Sequence, residues 1–148
     1  LKQEFDDWCE DLKSLSCPGS PLTAQAFAER LSDSLERRST MLKLLSMNLY
    51  DMEANSRLEE LTSFKLSYGE SMKLLRSGLK SLSPEISSEA EEGFIYAFYP
   101  FLFGIYPYTN ATQKQQEAMR LAGIDYPPYT IKELSCSFIS RQLQAILM

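Results

Sequence analysis

The stretch SRLEELTSFKLSYGESMKLLRSGLKSLS, residues 56–83, decides the fold class. Within it Leu61, Phe64, Tyr68, Met72, Leu75, Leu79 and Leu82 follow one another at steps of three and four. With about 3.6 residues per helical turn, that spacing puts every apolar side chain on one face. The opposite face carries Glu59, Glu60, Lys65, Glu70, Lys73, Arg76 and Lys80. A long amphipathic helix lying on a core is the reading, and Pro84 ends it.

The same period continues upstream. Leu1, Phe5, Trp8, Leu12 and Leu15 predict a first helix over residues 1–16, closed by the breaker-rich turn CPGSP at 17–21. Ala24, Phe27, Ala28, Leu31 and Leu35 predict a second, capped by Ser20 or Thr23. Met41, Leu44, Leu45, Leu49 and Met52 predict a third over about residues 40–53, widened by Leu42, Met47 and Tyr50. A helix apolar on most of its surface is expected at the centre of a fold.

Downstream, Ser88-x-x-Glu91 reads as a capping box opening a fifth helix. Its body, Phe94 to Tyr108, holds eight of the 17 aromatic residues, and residues 93–113 carry no charge. The strongly apolar run, Phe94 to Tyr106, makes only ~20 Å of helix, against ~30 Å of membrane hydrocarbon. With Pro100 and Pro107 inside it, the segment reads as a buried helix and not a membrane span. Thr112-x-x-Gln115 opens a short helix that Gly123 can close, and Thr130-x-x-Glu133 opens a last one to about Leu147. No repeat or low-complexity tract interrupts the pattern, and the chain has no Val. The expected fold is all-α: an antiparallel bundle of about six to seven helices in a single domain over residues 1–148.

Composition removes most chemistry. The chain has 148 residues, 15 Lys and Arg against 20 Asp and Glu, a net charge of −5, and no His. Without imidazole there is no Ser-His-Asp or Cys-His pair and no His-containing zinc site. The acidic balance argues against a nucleic-acid surface on this chain. Its six glycines are scattered singly, so no phosphate loop is present. Cys9, Cys17 and Cys136 have no CxxC spacing and suit packing thiols in a reducing cytoplasm. Asn110-Ala111-Thr112 matches a glycosylation acceptor by chance. Neighbouring carboxylates such as Glu59-Glu60 and Glu91-Glu92 do not share a helix face and read as solvated surface. No catalytic residue, metal ligand or cofactor is expected, so binding and not catalysis is the expected activity.

Binding residues are sought where apolar helices carry polar tips. Tyr96, Tyr99, Tyr106 and Tyr108 lie beside Pro100, which is expected to kink the helix or free the carbonyl of Tyr96. Such aromatics either fill a core or line a small-molecule pocket. Met47, Tyr50, Tyr68 and Met72 are adaptable lining residues on the central helices, and Asn48 either meets a ligand or ties to backbone. In the last helix Ile131, Leu134, Phe138 and Ala145 form one stripe, and Ile139, Leu143 and Ile146 another. Ser135, Cys136, Ser137 and Ser140 sit between them. Two stripes fit either a subunit interface or a helix wedged inside one core.

Particular runs carry a resemblance. They are Ala28-Glu29-Arg30-Leu31-Ser32-Asp33-Ser34-Leu35-Glu36-Arg37-Arg38, Met41-Leu42-Lys43-Leu44-Leu45-Ser46, Leu49, Glu53-Ala54-Asn55 and Leu61-x-x-Phe64-Lys65. Further along come Gly104-Ile105-Tyr106-Pro107-Tyr108-Thr109 and Gln113-Lys114-Gln115-Gln116-Glu117-Ala118-Met119. In order and spacing they resemble the C-terminal ligand-binding and dimerisation region of a tetracycline-repressor (TetR) family transcriptional regulator.

The resemblance implies a homodimer whose fifth and last helices form a four-helix bundle. Phe101, Ile105, Leu134, Phe138, Ile139, Gln142 and Ile146 are the expected interface residues. It implies a cavity between the central helices for an apolar or aromatic effector, faced by Met47, Asn48, Tyr50, Tyr68, Met72, Tyr96, Tyr99 and Phe103. Effector binding would be coupled to DNA release in the intact cytoplasmic protein. The alternative is a helical interaction module with no pocket.

The family's helix-turn-helix would precede Leu1 and is absent from this sequence. The missing initiator Met and the start inside an amphipathic helix lead to the expectation of a fragment, with operator DNA bound only through an upstream domain. Pro100 in the bundle helix, and Ser39 where relatives often have Pro, are departures from the family pattern.

Overall fold

Apolar residues at steps of three and four become helices throughout the computed structural model, which describes residues 1–16, 19–47 and 49–147. Cys17, Pro18, Asn48 and Met148 lie outside the described residues, and with them part of the expected turn at 17–21. Among the described residues there is no strand; the fold is all-α. The α-helices are α1 (Lys2–Leu12, followed by a 3-10 turn at Lys13–Leu15), α2 (Ala24–Glu36), α3 (Ser39–Ser46) and α4 (Leu49–Ala54). They continue with α5 (Leu58–Leu82), α6 (Ser88–Thr109), α7 (Gln113–Leu121) and α8 (Ile131–Leu147).

The core gathers Phe5, Trp8 and Leu12 of α1, Phe27, Leu31 and Leu35 of α2, Leu75 and Leu79 of α5, and Phe94 and Phe98 of α6. Each is nearly or fully inaccessible to solvent. α1 packs along α5, α3 against α6, and α2 along α8. Gly78 permits the crossing of α5 with the 3-10 turn, since a Cβ there would stand 3.0 Å from Leu15 Cβ and 3.1 Å from Phe27 Cε2. Polar ties pin the crossings. Arg38 grips Asp11 with two bonds, Nε to Oδ2 at 2.8 Å and Nη2 to Oδ1 at 3.2 Å. The backbone N–H of Lys132 donates to Glu36 at 2.6 Å while its Nζ pairs with Asp33, fixing the start of α8 on the end of α2. Ser34 Oγ donates to the Leu31 carbonyl and accepts the buried Trp8 indole N–H at 3.0 Å.

Three sequence expectations need correction. The third helix is not continuous: Met47 takes an extended conformation, ψ 161°, and divides it into α3 and α4. Nor is it central beyond that break, because Met47, Tyr50 and Met52 are exposed. An ion pair ties α4 to α5, Lys65 Nζ to Glu53 Oε1 at 3.0 Å. Secondly, the cap of α6 is Ser87, whose side chain accepts from the Ala90 N–H, and not Ser88. Glu91 is therefore free of a capping role. Its buried carboxylate instead meets Arg76 at 3.3 Å and Lys80 at 3.4 Å, joining α5 to the start of α6. Thirdly, Glu91 is buried and is not the solvated surface expected of the Glu91-Glu92 pair, whereas α6 runs on through Pro100 and Pro107. Pro100 and Tyr96 both lie on the outward side, where water can serve the carbonyl that Pro100 cannot.

The other caps form as expected. Thr23 caps α2, and both halves of the Thr112/Gln115 and Thr130/Glu133 boxes are made. Gly123, at φ 72°, closes α7: its N–H donates to the Arg120 carbonyl and that of Ile124 to the Met119 carbonyl at 2.9 Å. Only a residue without Cβ takes that left-handed position at low cost.

Candidate functional site

Between α1, α5 and α6 the helix registers bring aromatic rings together. Tyr68 lies at the centre, with ring centroids 5.0 Å from Tyr99, 6.3 Å from Phe103, 5.7 Å from Phe5 and 6.0 Å from Phe64. Tyr99 is buried, and its hydroxyl lies 2.5 Å from Ser71 Oγ. The single Ser71 hydroxyl hydrogen goes to the Tyr68 carbonyl at 2.6 Å, so Tyr99 is the donor of the pair. Burial raises the pKa of Tyr99 and of Tyr68, with Tyr96 and Glu53 adding to the latter. Both phenols are neutral at physiological pH. Lys65 Nζ sits 5.0 Å from the Tyr68 ring centroid, within cation–π range. Met72 is half-buried against the same core. This arrangement is a packed aromatic cluster whose Tyr99 and Ser71 hydroxyls are hydrogen-bonded within the chain.

Of the residues expected to face a ligand, Tyr68, Met72, Tyr99 and Phe103 therefore share the α5/α6 side of the core. Met47, Tyr50 and Tyr96 stand apart, exposed by 56%, 83% and 64%. Asn48 lies outside the described residues. For Met47 and Tyr50 the exposure goes with the break between α3 and α4, and Tyr96 lies on the outward side of α6.

The expected interface residues lie on neighbouring parts of α6 and α8. Phe101 and Phe138 stack in parallel with centroids 4.1 Å apart and both rings half-buried. Ile105 and Ile139 are already buried inside the subunit, whereas Leu134, Gln142 and Ile146 are half-buried. Along α6 the exposed residues Gly93, Tyr96, Pro100, Gly104, Pro107 and Tyr108 form one uncharged outward stripe. A Cβ at Gly93 or Gly104 would meet nothing within 4 Å. Neither glycine is required by packing within the subunit.

Sequence reasoning missed a groove at the far end of this face. About 670 Å³ in volume, it lies between the end of α6, α7, the 124–129 loop and the start of α8. Pro107, Tyr108, Met119, Ile124, Tyr126 and Leu134 are among its walls. The cluster Asp125-Tyr126-Pro127-Pro128-Tyr129 was the available signal; it reads as a loop, and only the fold folds it back on α6. Tyr126 Oη donates to the Tyr108 carbonyl at 2.6 Å.

Among the described residues no group of three or more Cys, Asp or Glu is placed to hold a metal. The Cys9 thiol, pushed up to about 11 by burial and then by Glu70, is protonated and unreactive near neutrality. No helix of the described residues is long and apolar enough to cross a membrane.

In comparison with known proteins, the model of the family described as "Tetracyclin repressor-like, C-terminal domain" aligns with residues 2–135. No curated protein and no solved structure matches the chain.

Proposed function

Because the chain belongs to the tetracyclin repressor-like C-terminal domain family, we propose that it is the effector-binding and dimerisation domain of a cytoplasmic transcriptional regulator. The whole of residues 1–148 acts as one unit in this reading. One observation carries it: the uncharged stripe of α6, with glycines that leave open space, beside the stacked Phe101 and Phe138. A flat, uncharged helix face exposed to water is stabilised by covering it, and a two-fold symmetric pair covers it on both subunits at once. Phe101, Leu134, Phe138, Gln142 and Ile146 form the contact, with Ile105 and Ile139 supporting it from within.

The effector is an apolar or aromatic compound held between α5 and α6 by Tyr68, Met72, Tyr99 and Phe103. Met47, Tyr50 and Tyr96 belong to its entrance. Moving α6 on ligand entry changes the packing of the two subunits, which in an intact regulator alters the spacing of the DNA-binding heads and releases the operator. In the alternative, an interaction module without a pocket, the satisfied hydroxyl and close rings of Tyr99 are simply core.

Two measurements test the proposal. Sedimentation equilibrium should give a dimer for the chain and a monomer for Gly104→Arg, whose side chain fits the free subunit and obstructs the face. For the effector site, Trp8 is the only Trp and lies 6.5 Å from Tyr99. The neutral probe N-phenyl-1-naphthylamine should accept its excitation energy on binding, and Tyr68→Ala should remove the signal. No energy transfer at saturating probe favours the module without a pocket.

A further inference from the structure

The helix α7 has no buried residue, and a nine-residue helix is marginal in water unless something packs on it. Its inner side, Ala118 and Met119, together with Ile124, borders the 670 Å³ groove, yet Ile124 remains 57% exposed and Tyr129 49%. Among the described residues nothing covers that apolar lining.

We propose that a second copy of this chain fills the groove, so that α7 and the loop after it form an arm closing over the partner at the edge of the α6/α8 face. The proposal rests on the dimer reading above and extends it to a segment with which the bundle helices do not reckon. Continuity is the first argument. Tyr108 and Leu134 wall the groove and also a shallow depression of about 330 Å³ whose other walls are Pro100, Phe101, Gly104 and Ile105. Whatever seats on the face reaches the mouth of the groove.

Charge is the second argument. Asp125 is the one charged residue in the groove lining, and residues 93–113 carry none. The groove therefore fits an uncharged apolar surface, which the stripe of α6 from Gly93 to Tyr108 presents on the partner by symmetry. Shape is the third. The Thr112/Gln115 box, the Gly123 turn and the bond from Tyr126 to the Tyr108 carbonyl hold the arm in place before association. A pre-shaped arm loses little conformational freedom on closing.

The test compares the chain with Ile124→Asp, Tyr129→Asp, Gly104→Arg and the control Leu66→Asp by sedimentation equilibrium, with far-UV circular dichroism to confirm folding. Ile124 and Leu66 are both exposed, so neither change disturbs the core. Ile124→Asp and Tyr129→Asp should each raise the dimer Kd at least about tenfold, the cost of meeting an apolar surface with a carboxylate. Leu66→Asp should leave it unchanged. Amide exchange in α7 should also slow as the chain concentration passes through the dimer Kd. If Ile124→Asp and Tyr129→Asp dimerise like the parent and α7 exchange ignores concentration, while Gly104→Arg is still monomeric, the arm is overturned and the α6/α8 reading stands; the groove is then a hollow for a small ligand. A parent chain that stays monomeric overturns both.

Discussion

Replacing Gly104 by Ala separates subunit stability from association, because one methyl group acts on them with opposite signs. In the free subunit an added Cβ meets nothing within 4 Å. The change then acts only on the helix, where Ala is favoured over Gly by about 1 kcal/mol. For a domain of this size, that raises the melting temperature by about 2–4 °C. In a dimer that brings two α6 helices together across Gly93, Pro100 and Gly104, the same methyl occupies space needed by the partner. Overpacking of this kind costs about 1–3 kcal/mol, which weakens Kd by about 5- to 150-fold. The assay is calorimetry at a concentration below the dimer Kd, paired with sedimentation equilibrium across it. A higher melting temperature with an unchanged Kd would refute the argument that the helices approach closely at this glycine. A lower melting temperature would refute the open space itself.

The remaining expectations concern the core and the aromatic cluster. Gly78→Ala is the opposite case: its Cβ would meet Leu15 and Phe27 at about 3 Å, so overpacking of about 1–3 kcal/mol, less the helix gain of about 1, leaves up to about 2 kcal/mol of destabilisation in urea titration. Tyr99→Phe removes a buried donor while Ser71 keeps its bond to the Tyr68 carbonyl; a loss of about 1 kcal/mol is expected by the same measurement. Alkaline titration should expose Cys9. Its thiol ionises near 9 when unfolded and at about 11 when folded, so the unfolded chain holds fewer protons between those values and stability falls as pH rises through that window. Cys9→Ala should flatten the slope there.

Much of this architecture was legible in residue spacing. The face of α5, the boxes at Thr112 and Thr130, and the closure at Gly123 all depend on contacts within a few residues, so the local sequence contains their physics. At the start of α6 the same reasoning erred by one residue. Ser87 and Ser88 are equivalent as cap formers, and the choice between them falls to Glu91, which is drawn away by Arg76 and Lys80 on α5. Similarly, Met41 to Met52 has helical period throughout, yet the chain breaks at Met47. α3 packs against α6, and among the described residues α4 has no packing of comparable extent.

For the candidate site, the residue order supplied the material: aromatic and Met side chains at helical spacing, no charge from Gly93 to Gln113, and no imidazole for catalysis. Tertiary structure alone decided which of those residues meet. It placed Tyr68, Tyr99 and Phe103 in one cluster while leaving Tyr50 and Tyr96 in water, and it folded the 124–129 loop against α6 to make a groove. The reason is that helical periodicity assigns each residue to a face of its own helix. Which face turns toward which neighbour is set by packing between elements distant in the chain, as when Gly78 admits Leu15 and Phe27, and no local pattern encodes that choice.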